Sequence, residues 1–171
     1  MTRNNAPHEE TIGFFAIPLN GIDDPDEPEV GEINAGTLIV THMTADGWQP
    51  NWLKNTVATD MMDGFVVQSV GTEGFSATLQ FARQNDDGTD TTRDTLARRE
   101  QFWLAVVPFL ELDETGAYND VEVGDIVDLY HVESHGIQDV ASGANTDQQY
   151  QVQLAGKARP HLDVTVVVDA T

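Results

Sequence analysis

GDIVDLYHVES at Gly124–Ser134, QQYQVQLAGKA at Gln148–Ala158 and LDVTVVVDA at Leu162–Ala170 are three runs rich in strand-forming residues, spaced by polar connections. In the second run Tyr150, Val152 and Leu154 alternate with glutamines, the period-2 pattern of a strand with one apolar and one wet face. Leu162, Val164, Val166 and Val168 alternate in the same way in the third. The polar, glycine-bearing GIQDVASGANTD at 136–147 reads as the loop between the first two.

The same period recurs upstream. In GTEGFSATLQFARQ, Phe75, Ala77, Leu79 and Phe81 share one side, while Ser76, Thr78, Gln80 and Ala82 share the other, with a turn expected over Gly71–Gly74. TLIVTHM at Thr37–Met43 is a β-branched run that predicts a strand. FWLAVVPFLEL at 102–112 predicts a buried strand, with Pro108 tolerable only at its end, at a bulge or on an edge. NDDGTD at 85–90 reads as a turn, and DETGAYNDVEVGD as a solvent-facing connection. One short helix is expected after Thr91 or Thr92 as a cap, with Asp94 in its first turn and Leu96 and Phe102 as its apolar contacts. Successive strands without βαβ spacing predict a mainly β fold: an antiparallel β-sandwich or incomplete β-barrel with one short flanking α-helix.

Two segments depart from this pattern. WQPNWLKNTVATDMMDG has no clean period, so 46–64 is expected to be a long loop, of a length that often belongs to an interface. Between Asp23 and Glu32 six acids and two prolines predict an extended, self-repelling stretch. Residues 1–35 are therefore expected to be an N-terminal arm and acidic loop, and 36–171 the β domain. Within the arm, Phe14, Phe15 and Ile17 would pack on the domain's own core or cover a neighbour.

Composition narrows the function classes. The chain has 171 residues, enough for one ordinary domain. Eight basic against 29 acidic residues give a formal charge of −21, which opposes binding to nucleic acid or anionic membranes. No stretch approaches 18 apolar residues and the start, MTRNNAPHEE, has no basic–apolar leader, so the expectation is a soluble, unexported protein. Without cysteine there is no disulfide, thiol nucleophile or thiolate metal site. Arginine outnumbers lysine, which occurs only at Lys54 and Lys157. Such an acidic chain suits concentrated salt, where at about 1 M the screening length is about 3 Å.

Signs of chemistry are weak. The glycine-rich phosphate motifs and the GxSxG nucleophile turn are absent. His131, Glu133 and His135 alternate in HVESH and supply a nitrogen–oxygen donor set suited to zinc. Their two-residue spacing of about 6.6 Å is too wide for chelation on a straight strand. Asp23 with Asp24, or Asp86 with Asp87, lack the full ligand series of a calcium loop. The three tyrosines and three tryptophans could line a sugar groove, though core packing is the commoner use. No enzyme and no cofactor is expected.

EINAGTLIVTHMTADGWQP, GTEGFSATLQFARQ, the stretch Thr92–Phe109, VGDIVDLYHVE at Val123–Glu133 and the ending QYQVQLAGKARPHLDVTVVVDA together resemble the major tail tube proteins of long-tailed, non-contractile (siphovirus-like) viruses. The resemblance covers roughly 31–171 and has no catalytic signature. It implies a virion structural protein of the viral tail, assembled in the host cytoplasm, in which six copies close a ring and rings stack around a channel. Tape-measure protein and viral DNA would occupy the lumen without sequence-specific contacts, with terminator and baseplate proteins at the tube ends and no membrane binding by the subunit. By the same analogy the 46–64 loop and the arm reach a neighbouring copy, through Phe14, Phe15, Trp48, Trp52, Leu53, Met61 and Met62. An acidic lumen would keep DNA mobile. The acidity and arginine preference further resemble proteins of halophilic archaea. The alternatives are a tail terminator, baseplate ring or other head–tail connector component, and a carbohydrate-binding β module.

Overall fold

A computed structural model describes residues 12–62, 65–83, 91–96, 100–140 and 148–169, giving only the backbone between 54 and 72. Its strands are β1 (Gly13–Pro18), β2 (Thr37–Leu38), β3 (Met43–Met62), β4 (Phe65–Ala82), β5 (Gln101–Val107), β6 (Ile126–Val140), β7 (Gln149–Gly156) and β8 (His161–Thr165). Two one-turn helices, α1 (Val30–Asn34) and α2 (Thr91–Thr95), accompany them. The strands form one antiparallel sheet in the order β2-β1-β5-β6-β7-β4-β3, with β8 added on β6.

The end strands β2 and β3 do not pair, so the sheet is not closed into a barrel. It must nevertheless curl. Only 39–42 separate Leu38 from Met43, and five residue steps reach at most roughly 18 Å. The two sheet edges are thus held side by side, and the main core fills the curl between them. Phe14, Leu79, Phe81, Leu104, Val132, Tyr150 and Val152 meet there, contributed by β1 and β4–β7. Removing one such large apolar side chain from water stabilises by about 1.5–3 kcal/mol.

A second core lies behind β1, β5 and the start of β6. Phe15, Ile17, Trp103, Ala105 and Leu129 project into it, covered by Ile33 of α1 and by Val121 and Val166 from connecting segments. Strands β1 and β5 are consequently buried on both faces, which explains why FFAI and FWLAVV are continuous apolar runs rather than alternating ones. Pro108 follows directly after β5, at the strand end where its missing N–H breaks no ladder bond.

Several boundaries move. The 46–64 segment is not a loop: its described residues 46–62 belong to β3. Trp48, Pro50 and Trp52 are two apart and stand opposite Leu79, Ala77 and Phe75 of β4, a period that Pro50 and the surrounding polar residues disguise. As an edge strand, β3 is where a proline is tolerated. Its start is irregular, with a register shift between Met43 and Trp48. A Cβ on Gly47 would meet the Thr44 and Gln80 carbonyl oxygens at 2.7 Å, so only glycine fits. The expected Thr37–Met43 strand shrinks to Thr37–Leu38, followed by a turn at Val40–His42. The Gly71–Gly74 turn is absent because β4 runs through it.

Strand β6 also continues through the expected loop as far as Val140. A register shift between Ser134 and Ile137 permits this, with Gly136 at φ 106°, a left-handed conformation that glycine adopts without strain. Ser134 secures the irregularity from inside the core: its Oγ donates to the Leu96 carbonyl at 3.1 Å and accepts from the Gly136 N–H at 3.2 Å. In β8, Asp163 at φ 55° breaks the alternation, leaving Leu162 and Val168 exposed while Val166 is buried.

The arm boundary at 35/36 divides a strand pair, because Phe15 of β1 faces Leu38 of β2. Residues 13–35 are therefore part of the domain, while 1–11 lie outside the described residues. The acidic stretch folds on itself instead of extending. Glu32 accepts from the backbone N–H groups of Asp23 (2.7 Å) and Glu29 (2.9 Å), and Asp169 accepts from Gly31 N–H at 2.7 Å. Carboxylates bonded to backbone donors at a helix start are stabilised there, which offsets their mutual repulsion. The 85–90 turn falls outside the described residues.

Candidate functional site

Strand β4 pairs with β7 only from Ser76 to Ala82, yet its pairing with β3 continues out to Met62 opposite Phe65. Beyond Lys54 and Glu73 the hairpin is therefore a two-stranded ribbon with no further strand beside it among the described residues. It is roughly 25 Å long at an ordinary strand rise. The register sets Met61 against Val66 and Met62 against Phe65 at its end. A two-stranded ribbon alone in water is marginally stable.

The root of the ribbon is aromatic. Trp52 is 42 % exposed and Leu53 53 %, with Trp52 packed 5.0 Å from Phe75 and 6.4 Å from Tyr130. Trp48 continues this contact across the gap in the curl, 5.9 Å from Tyr130 and 5.4 Å from Phe14 of β1. Phe75 stacks on Tyr130 at 4.6 Å. The seam between the two sheet ends is thus bridged by rings. Burial, reinforced by the Asp128 and Asp163 charges, pushes the Tyr130 hydroxyl up to about 12, so it stays neutral. Burial also raises Asp128, even though Asp163 N–H donates to its carboxylate at 2.8 Å.

The HVESH residues lie on β6 but do not converge. Glu133 Oε2 accepts from Lys157 Nζ at 2.8 Å, and this bond holds its carboxyl below the usual range. His131 Nε2 lies 3.3 Å from Gln101 Oε1, and its ring packs 5.2 Å from Trp103. Burial, and then the Lys157 charge, lowers the His131 pKa. His135 is exposed beside the Gly136 irregularity. Among the described residues no three histidine or carboxylate side chains gather to hold a metal ion. The arrangement is a polar row with Glu133 committed to lysine.

The outward face of β3, β4, β7 and the far half of β6 is different in kind. Register sets Gln49 beside Thr78 and Thr78 beside Gln153, and in the next row Asn51 beside Ser76 and Ser76 beside Ala155. Gln80 pairs with Gln151, which pairs with Gln138. The second row ends in charge: Ala155 stands beside Glu133 of β6, which Lys157 bonds at 2.8 Å. The amides bond to one another, Gln80 Nε2 to Gln149 Oε1 at 2.6 Å and Gln151 Nε2 to Gln138 Oε1 at 3.0 Å.

Of the residues expected at contacts, Phe14 and Phe15 are instead buried in the chain's own two cores, at 2 % and 6 % exposure, because β1 is an interior strand. Trp48 is half-buried in the seam, Trp52 and Leu53 are exposed, and Met61 and Met62 lie on the backbone of the ribbon. The amide face escapes a motif search; its signal is the glutamine alternation in QQYQVQ.

A family model described as phage tail tube protein matches residues 1–169. The fold is similar to a chain in the tail of an empty gene transfer agent particle, refined helically with C6 symmetry. That similarity has a TM-score of 0.50 at 11 % identity and covers 94 % of this chain and 98 % of that one. A chain of the native gene transfer agent virion matches with TM-score 0.45 at 11 % identity, over 74 % of this chain and 88 % of that one. A chain of the sixfold-symmetrised baseplate of the anti-feeding prophage matches with TM-score 0.46 at 14 % identity, over 94 % and 97 %. No curated protein sequence matches.

Proposed function

The chain belongs to the phage tail tube protein family, and on that premise we propose that it is the major tube subunit of a long-tailed, non-contractile virus. Six copies close a ring, and rings stack into the conduit through which the genome leaves the virion. The observation that carries this reading is the ribbon of β3 and β4, extended beyond the sheet with no further strand beside it among the described residues. A second copy supplies what the ribbon lacks. Trp52 and Leu53 at its root and Met61 and Met62 toward its end form the contact with the neighbouring copy. The C6 symmetry of the gene transfer agent tail, whose subunit has a similar fold, supports six as the ring number. Tape-measure protein and DNA occupy the lumen, and terminator and baseplate proteins meet the two ends.

The charge of −21 with two lysines supports a salt-adapted, archaeal host. Screening at high salt removes most of the repulsion between copies. The melting temperature of the subunit is expected to be higher at about 3 M than at 0.1 M salt, and the opposite order ends the halophilic reading.

The deciding test is electron microscopy of the concentrated protein at high salt, with and without tail-tip complexes as initiators. Hollow tubes of stacked sixfold rings are expected. A sample that stays monomeric with initiator present overturns the tube role. Copy number in the virion separates a tube subunit, present in many copies, from a terminator or baseplate ring, present in few.

A further inference from the structure

We propose that the acidic turn after β5 of one copy seats in the notch between the ribbon and β8 of the next, an inference that rests on the tube reading above and names the surface that Trp52 and Leu53 meet.

The notch opens where the ribbon leaves the sheet. Ser76 with Ala155 is the last pair between β4 and β7, and the chain then runs through 157–160 into β8. Trp52 and Phe75 stand on one side of the resulting cavity of ≈ 1040 Å³, and Lys157, Arg159 and Leu162 on the other. Leu162 is 47 % exposed and adds to the apolar surface of Trp52. Of the basic side chains described, Arg83 bonds to Gln148, Arg93 pairs with Asp139 and Lys157 with Glu133. Arg159 is exposed and meets no carboxylate among the described residues, in a chain that carries 29 acids. The notch does not supply one itself: Asp26 bonds to His161 at 2.6 Å, and Glu73 stands in register with Lys54 across the ribbon. An unpaired guanidinium beside an exposed tryptophan and leucine is the composition of a protein contact.

The turn after β5 has the opposite charge and the same apolar character. Phe109 is 65 % exposed and Leu112 37 %. Glu111 and Glu114 beside them are exposed, and their carboxylates make no bond among the described residues. Asp113 instead locks the turn, its Oδ1 accepting from the N–H groups of Thr115 at 2.7 Å and Ala117 at 3.0 Å. A preformed projection of this kind loses little conformational freedom on docking. The other acid-rich stretch, 23–32, fits less well: Asp24, Asp26 and Glu32 are already bonded, and it exposes no large apolar residue. No residue of 108–125 lines the notch of its own chain, so a second copy supplies the turn. The contact joins two different surfaces, the head-to-tail kind that propagates around a ring or along a stack. Phe109 and Leu112 against Trp52 and Leu162 bury apolar area, while Arg159 with Glu111 and Glu114 fixes the register.

Carbodiimide cross-linking tests this with little disturbance, because it joins an amine directly to a carboxylate that touches it. Lys157 is the native amine of the notch, and Arg159→Lys adds a second while keeping the charge. Tubes of the wild-type chain and of the variant, verified by microscopy, are cross-linked, digested and compared with free subunits by mass spectrometry. Species of more than one chain are expected from tubes, joined from position 157 or 159 to Glu111 or Glu114, and lost in free subunits; Lys157 gives this readout in the wild-type chain by itself. Tubes in which these amines join only to their own chain, as Lys157 to Glu133, or to other carboxylates of a neighbour, overturn the proposal while leaving the tube role intact. If the wild-type chain forms no tubes even with initiator, the tube role fails, and this proposal fails with it.

Discussion

Strand β5 and the outer half of the β3–β4 hairpin both carry valines and bulky apolar residues, yet they stand in opposite settings. Every residue from Phe102 to Val107 is buried, with β1 on one side, β6 on the other and a core on each face. Beyond Lys54 and Glu73, each hairpin strand has only the other as its neighbour among the described residues. The interior strand is specified wholly by its own chain. The ribbon is specified by the pairing of its own two strands.

The contrast can be tested by substitutions ranked by their cost to the free subunit. Leu104→Ala in β5 is expected to cost about 2–5 kcal/mol in chemical denaturation; a cost below about 1 kcal/mol would mean that β5 is not the rigid centre described. Trp48→Ala opens the seam but removes a half-buried ring, so about 2 kcal/mol is expected, below the roughly 3–5 kcal/mol of a fully buried tryptophan. A cost equal to that of Leu104→Ala would show the seam to be as essential as the interior.

Asp128→Asn probes the border of the aromatic cluster through pH. The raised pKa of Asp128 means that its contribution to stability is fully present below the ordinary carboxylate range and is lost as pH rises through the folded value. The amide can still accept from Asp163 N–H. Melting at pH 7 should therefore rise slightly, within about 0.5 kcal/mol, while melting at pH 3 should not change. A fall at pH 7 would mean that the carboxylate's bond to Asp163 outweighs its desolvation. Leu53→Asp, at an exposed residue of the ribbon's root, should leave the free subunit within about 0.5 kcal/mol of wild type and abolish tube formation. Unimpaired tubes would remove the ribbon from the assembly contact.

Much of the sheet was legible because strands with one wet face alternate visibly, as in Phe75–Phe81 and Tyr150–Leu154. The length of β3 was not: Pro50 and the polar residues around it suggest a loop, and the strand is evident only when β4 is placed beside it. The β6 continuation hides for a similar reason, since Gly136 resembles a turn where it is a bulge. The acid-rich segment misleads because like charges count against structure only while their carboxylates lack donors. Among contact candidates, the exposure of Trp52 and Leu53 was not legible in the residues themselves, which pointed to a contact only through the family resemblance, and the burial of Phe14 and Phe15 follows from β1 being interior.

The unclosed curl has a mechanical consequence. In a sealed barrel any change of girth must break ladder hydrogen bonds, whereas here Trp48 of the end strand β3 reaches Phe14 of β1 and Tyr130 of β6 through ring contacts. In each subunit the gap between β1 and β3 is therefore crossed by no strand pairing among the described residues. A filament built from such units can bend by distributing small adjustments over many seams, with every backbone ladder intact.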